Sequence, residues 1–341
     1  MKRSTTIFLA CLLGALSFYY FGVEKPHRNS GADLGAIQVL VLPEGDSVSW
    51  FQIQNRATKE TMTLAWEGRN WVLQYPVRYP AENFLVQGMV NTLTFAQRVR
   101  RFPLKGKAPK ELGLDDPSLK VDVESSKLTR RRSLHIGAES PVGGGVYARW
   151  EGEDEYFMIL PEVKAALERT VYSIRRKKLF RVNWEEVDWI GAKVGGKEYR
   201  LEKKGDEWRG FIPFSRREIF LEKADDLIYA FQSLYVKEFL DGKNPEKKEF
   251  GLKTGDFLAA GKKEGPSEKL ILGDPISKED ALYAMREKEN LVLRVSQTKI
   301  KSLLQMFQIQ FLETANVGDG QVKTNSGKNS ISLPTGGTKP V

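Results

Sequence analysis

A doubled pattern constrains the fold of this chain more than any other feature. Residues 60–71 read ETMTLAWEGRNW and residues 197–208 read KEYRLEKKGDEW, so Leu64 answers Leu201, Gly68 answers Gly205 and Trp71 answers Trp208 at one separation, which Pro76 and Pro213 share. Glu111, Leu112, Gly113 and Leu114 answer Glu249, Phe250, Gly251 and Leu252 one residue further apart. Leu134, His135, Ile136 and Gly137 answer Leu270, Ile271, Leu272 and Gly273, and Tyr147 and Ala148 answer Tyr283 and Ala284, one residue closer. Single matches arise by chance. Blocks in one order at nearly fixed spacing argue for duplication, and the expected halves are residues 37–180 and 181–313.

Each half carries the same local signals. Alternating apolar positions in 61–66 and 71–75 around Glu67, Gly68, Arg69 and Asn70 predict a β-hairpin, and its copy is 198–201 and 208–212 around Lys203, Lys204, Gly205 and Asp206. Helices are expected at 81–97, with Phe84, Leu85, Val90, Leu93 and Phe95 largely on one side, and at 221–235, with Leu227, Ile228, Phe231 and Leu234. Further strands are expected at 119–123, 134–136, 146–149 and 156–160, with copies at 257–260, 270–272, 282–286 and 291–295. Short closing helices are expected at 162–168 and 297–306. Strand clusters flanking a helix imply an α+β class: two tandem homologous repeats with mainly antiparallel sheets.

The ends read differently. A basic leader, Lys2 and Arg3, precedes an apolar run at 7–23 (IFLACLLGALSFYYFGV), and Glu24, Lys25, Pro26 and Arg28 follow it. Seventeen residues at about 1.5 Å each give roughly 25 Å, near the lower limit of a membrane span. Residues 1–23 are therefore expected as cytoplasmic leader and transmembrane anchor, with everything after them extracytoplasmic. A signal peptide cleaved after Ala15 and Ser17 is the first alternative, but the apolar run continues past that point. Lipidation of Cys11 is the second, but few apolar residues precede it. Residues 24–36 read as a linker and 314–341, which lack aromatic side chains, as a disordered tail.

The motif order resembles a known family. An anchor is followed by Trp71, Leu73 and Pro76 leading into a helix, then ELGLDDP at 111–117, a strand ending in Ile136 and Gly137, and PVGGGVYAR at 141–149. That order resembles the bacterial domain of unknown function 4340 family over most of residues 1–312. The resemblance implies a membrane-anchored extracytoplasmic protein, of a kind often encoded beside ABC transporter subunits of the gliding-motility type. It carries over no catalytic residue. The second half departs from the pattern, with Lys253 and Thr254 where a Pro is expected and Ile276, Ser277, Lys278 and Glu279 in place of the glycine run.

Chemistry-bearing groups are few. One Cys and two His among 341 residues remove an internal disulfide framework, Cys/His zinc sites and most His-centred catalysis. The glycine run 141–145 could cradle a phosphate, but it precedes a strand where a phosphate loop precedes a helix, so a hairpin connection is the better reading. Asp115, Asp116, Glu139, Asp154 and Glu155 could supply an acid and a base, yet no spacing selects a pair. His135 lies in an alternating strand where the second half has Ile271, and His27 lies in the linker. No catalytic, cofactor-binding or metal residue is assigned.

The net charge is +9, and three groups of basic residues stand out along the chain. Arg98, Arg100, Arg101, Lys105, Lys107 and Lys110 form one, Arg130, Arg131 and Arg132 another, and Arg175, Arg176, Lys177, Lys178 and Arg181 the third. Most charge runs are solvated faces. As a binding surface these groups would contact anionic lipid, an envelope polymer or an acidic partner, and nucleic acid is disfavoured outside the cytoplasm. The expected role is a non-enzymatic, single-pass protein of the bacterial cytoplasmic (inner) membrane acting as an accessory of an envelope ABC-type transport complex. An envelope polyanion or glycan-binding module ranks second and a carboxylate-dependent hydrolase third.

Overall fold

The computed structural model describes residue 42 and residues 47–103, 110–128, 130–141, 143–211, 218–220 and 224–320. The expected anchor at 7–23 and linker at 24–36 lie outside these residues, as does 321–341. Among the described residues no helix is long and apolar enough to cross a membrane. The chain divides into two compact units between Ile174 and Arg175.

The first unit is built on one antiparallel sheet. Its strands are β1 (Val48–Asn55), β2 (Glu60–Glu67), β3 (Asn70–Tyr75), β4 (Tyr79–Pro80), β5 (Arg100–Pro103), β6 (Leu119–Ser125), β7 (Arg132–Glu139), β8 (Val146–Trp150) and β9 (Glu155–Ile159), in the order β4-β3-β2-β1-β6-β7-β8-β9-β5. β1 joins the two runs of hairpins: Phe51 lies opposite Leu64 on one side and Val123 on the other. Alternation then sends Phe51, Ile53, Leu64, Leu73, Val121, Leu134, Ile136, Ala148 and Phe157 to one face. That face packs against α1 (Asn83–Phe95), α2 (Pro161–Leu167) and α3 (Val171–Ile174) through Val86, Met89, Val90, Leu93, Val163, Leu167 and Ile174. Each large apolar side chain buried there stabilises the unit by about 1.5–3 kcal/mol relative to exposure.

Trp71, with Trp150 one of the two largest side chains in this core, is 1% exposed. It meets Phe51 and Trp66 edge-on at 5.5 and 5.7 Å between ring centroids. Its backbone N–H donates to Asn83 Oδ1 at 2.7 Å and its indole N–H reaches Gln87 Oε1 at 3.4 Å, so β3 is fixed to the first turns of α1.

The expected apolar side of α1 needs a correction. Phe84 and Phe95 are 95% and 70% exposed, while Val86, Met89, Val90 and Leu93 face the sheet. At about 3.6 residues per turn, positions 84 and 95 fall on one line opposite the buried stripe, so the two phenylalanines cannot share the core face.

The second unit contains β10 (Trp189–Val194), β11 (Lys197–Lys204), β12 (Glu207–Phe211), β13 (Glu218–Phe220), β14 (Val236–Leu240), β15 (Phe257–Gly261), β16 (Ser267–Pro275), β17 (Leu282–Arg286) and β18 (Val292–Val295). Their order is β13-β12-β11-β10-β15-β16-β17-β18-β14, all antiparallel, which is the order of the first sheet shifted by nine strands. Helices α4 (Ala224–Gln232) and α5 (Gln297–Gly320) supply Leu227, Phe231, Ile300, Leu303 and Phe307 to its core. Trp208 is half-buried against that core rather than sealed within it. α5 runs through Gly320, past its expected end at 306 and into the segment read as a tail. Once Ile300, Leu303 and Phe307 anchor its first turns, each further residue adds a hydrogen bond at little extra ordering cost.

Local details recur in the two sheets. The β2–β3 and β11–β12 hairpins turn over Gly68 and Gly205, at φ +63° and +64°, which a tight hairpin favours and glycine adopts without strain. Gly113 and Gly251, at φ +66° and +62°, lead a short turn back over the outer sheet face. There Gly137 and Gly273 let a carbonyl approach: an added Cβ would lie 2.3 Å from Leu112 O and 2.1 Å from Phe250 O.

Candidate functional site

The clearest chemical cluster lies on the outer face of the first sheet. Lys120 on β6, His135 on β7 and Arg149 on β8 are cross-strand neighbours and point away from the helices. The segment carrying Leu112, Leu114 and Asp115 covers them, held by packing of Leu112 and Leu114 on Phe102, Tyr147 and Tyr156. His135 is buried, with Nδ1 3.0 Å from Leu114 O, so Nδ1–H donates to that carbonyl. Its Nε2 is 3.7 Å from Glu151 Oε2, and Glu151 also takes Lys120 Nζ at 3.3 Å. Ser133 and Lys120 hold the Glu151 carboxyl below its ordinary pKa, with a smaller contribution from His135. Arg149 reaches Asp115 at 3.5 Å.

This arrangement fixes a chain segment over the sheet. The imidazole lies beneath Leu114, while the carboxylates beside it, Glu151 and Asp115, are about half exposed and are paired with Lys120 and Arg149 respectively. Asp116 pairs with Arg56 at 2.6 Å, Glu139 with Lys164 at 3.5 Å and Glu155 with Arg98 at 2.9 Å. Four of the five candidate carboxylates are thus paired with four separate cations, while Asp154 borders the same open hollow as Glu155. Among the described residues no cluster of His, Cys, Asp and Glu could hold a metal ion.

The glycine run connects two strands, β7 and β8. Gly143 and Gly144 have φ of +79° and +83° with open space around them. The Gly143 N–H donates to Ser140 O at 3.0 Å and the Ser140 N–H to Gly145 O at 2.9 Å. The Gly143 amide that would have to face a phosphate closes the turn instead.

Five residues of the basic groups, Arg98, Arg131, Arg132, Arg175 and Arg181, sit in ion pairs. Arg98 sits between Glu155 and Glu153 and over the Phe157 ring at 4.5 Å. Burial pushes its guanidinium pKa down against the pull of the two carboxylates. With Arg101, Phe102 and Asp154 these groups border an open hollow of about 730 Å³. Arg132 also pairs with Glu153 and stacks on Trp150, and Arg131 pairs with Glu124 over Trp50. Arg175, 1% exposed, binds Asp241 at 2.6 Å and lies over Phe239, and Arg181 binds Glu289 at 2.7 Å. Arg100, Lys110 and Arg130 are exposed. Lys105 and Lys107 lie outside the described residues, as do Cys11 and His27.

An α+β protein of two antiparallel sheets, each backed by helices on one face and crossed by a short glycine-hinged segment on the other, is thereby defined. The chain belongs to the family described as Domain of unknown function (DUF4340), whose model matches residues 71–255. That match runs from the return strand of the first hairpin to the segment before β15, across both units. No curated protein and no solved structure matches the chain.

Proposed function

We propose that this chain is a single-pass, extracytoplasmic protein of the bacterial cytoplasmic membrane and a non-enzymatic accessory of an envelope ABC-type transport complex. The observation that carries the reading is the nearly uninterrupted apolar run at 7–23, preceded by Lys2 and Arg3 and followed by a proline-broken charged segment. The identical strand order of the two sheets supports a further point, that the ectodomain arose by duplication of one α+β unit. The transporter assignment leans on the family resemblance and on the spread of charged groups into separate ion pairs, an arrangement suited to a rigid platform. The polyanion-binding reading ranks second because Arg98, Arg131, Arg132, Arg175 and Arg181 already spend their guanidinium groups on carboxylates.

Purification of the full chain from its membrane in mild detergent tests this. A stoichiometric set of transport subunits is expected. Retention on anionic glycan with no accompanying protein would replace the reading with the second one. A mature amino terminus found at Phe18, or a lipid on Cys11, would remove the anchor.

A further inference from the structure

The side of α1 turned away from the sheet is unlike the surface around it. Phe84, Gly88, Asn91 and Phe95 form one exposed line along the helix, with positions 84 and 95 about 16 Å apart along its axis. No Asp, Glu, Lys or Arg occurs among the 13 residues of α1, in a chain where 28% of residues are charged. Helix α4, which occupies the corresponding place in the second unit, exposes Asp225 and Asp226 beside Tyr229. Gly88 meets nothing within 4 Å of an added Cβ, so packing within the unit does not require a glycine that weakens the helix by roughly 1 kcal/mol relative to Ala. A face that keeps two phenylalanines in water and excludes every charge has the composition of a contact surface.

Two observations choose its occupant. In the anchored reading proposed above, on which this inference rests, only the chain between Val23 and Val48 separates the membrane from β1, at most about 90 Å when fully extended. The first unit is therefore held beside a bilayer. The chemistry of the face suits the interfacial layer: aromatic rings flanked by the neutral polar groups of Gln87, Asn91 and Thr92, which stay hydrated at headgroup depth. Past the helix end Val99 is likewise exposed and adds to the apolar character of this stretch. We propose that the outer face of α1 lies on the lipid surface of the membrane, with Phe84 and Phe95 inserted among the headgroups.

The test uses the full chain with Cys11→Ser and a single nitroxide, at Asn91→Cys or, for comparison, at Tyr229→Cys. Each variant is reconstituted in vesicles of phosphatidylcholine and phosphatidylglycerol. The label at 91 is expected to lose accessibility to a water-soluble nickel chelate and gain it to oxygen, while the label at 229 stays aqueous. Adding Phe84→Asp and Phe95→Asp, two exposed substitutions, should return the label at 91 to the aqueous value. A label at 91 as aqueous as that at 229, in vesicles that retain the chain through a carbonate wash, overturns lipid docking and leaves the anchor standing. Loss of the chain in the wash sinks the anchor instead, and the label, read before the wash, still decides docking. Protection at 91 in native membranes but not in pure lipid overturns the proposal in favour of a protein occupant.

Discussion

The same three cross-strand positions carry opposite chemistry in the two units. In the first sheet they are Lys120, His135 and Arg149; in the second they are Phe257, Ile271 and Met285. Both columns lie under a segment that turns at a left-handed glycine. In the first unit polar bonds from His135 to Leu114 O and from Arg149 to Asp115 help hold it. In the second, Phe250 and Leu252 pack with Ile271, Tyr283 and Met285. The inner faces show no such freedom, because two or three helices must fit against them at interior density. The difference teaches that the outer column needs some adhesion to its cover but no particular kind, so side chains there can change without disturbing the sheet.

The largest expected difference between the units lies at the paired tryptophans. Trp71→Ala should cost about 3–5 kcal/mol, since a sealed indole and two edge contacts are lost. Trp208→Ala removes a half-buried ring and should cost about 1–2 kcal/mol. Urea unfolding followed by circular dichroism measures both. Equal losses would break the contrast and mean that the second core is as tightly closed as the first.

The glycines under the covering segments should instead behave alike. Gly137→Ala and Gly273→Ala each push a Cβ onto a backbone carbonyl that has no flexible end to move. A loss of about 1–3 kcal/mol is expected at both. A neutral result at one position alone would show that its cover can lift off the sheet.

These contrasts were unevenly legible in the sequence. The hairpins, the helix after each of them and the α+β class follow from alternation and from Gly68 and Gly205, which are local signals. The central strands β1 and β10 were not among the expected elements, although Phe51 and Ile53 alternate cleanly; their place between two hairpin runs is fixed by long-range pairing that no local window shows. The edge strands β5 and β14 were hidden for a related reason, since Arg100–Pro103 forms a strand only because Phe102 lies beside Tyr156. Phe84 and Phe95 are apolar, but helical angle rather than apolar character decides the face, and it sets them opposite the buried stripe. The polar column does leave a sequence signal, since His135 aligns with Ile271 and Arg149 with Met285, two mismatches that mark a site of divergence between the halves. The division of the carboxylates among separate cations depends on tertiary geometry and has no sequence signal.

A pH experiment sharpens the comparison from the second unit. Asp280 accepts hydrogen bonds from the Thr298 N–H and the Ser296 hydroxyl, each at 2.7 Å, at the start of α5. The Thr298 backbone bond first, then Ser296, lower its pKa from 3.8 to about 2. Because the folded value is the lower one, the stabilisation is fully present above pH 3.8 and is lost as pH falls towards and through 2. Asp280→Asn should lower the second unit's urea midpoint at pH 6, with the gap from wild type closing towards pH 2. A gap that persists at pH 2 would show that the substitution acts through shape rather than charge.

The smallest expected effect is also the sharpest test of the outer faces. The double substitution His135→Ile with Arg149→Met gives the first column two residues of the second. It removes an imidazole whose Nε2 has no hydrogen-bond partner among the described residues and a guanidinium whose Nε is likewise unmatched. The carboxylates left behind, Glu151 and Asp115, are about half exposed and can be taken up by water, so the polar bonds lost are partly repaid. Ile and Met at these positions would meet Leu112, Leu114 and Tyr147, the apolar side chains of the cover and its neighbour. The net change should stay within about 1 kcal/mol of zero, measured by urea unfolding at pH 7. Hydrogen exchange at the Ala138 amide, which donates to Leu112 O at 2.9 Å, reports directly on whether the cover still sits down. A loss well beyond that range, with fast exchange at Ala138, would mean that the polar column is the specific clasp of the first unit, and that its two chemistries are not interchangeable.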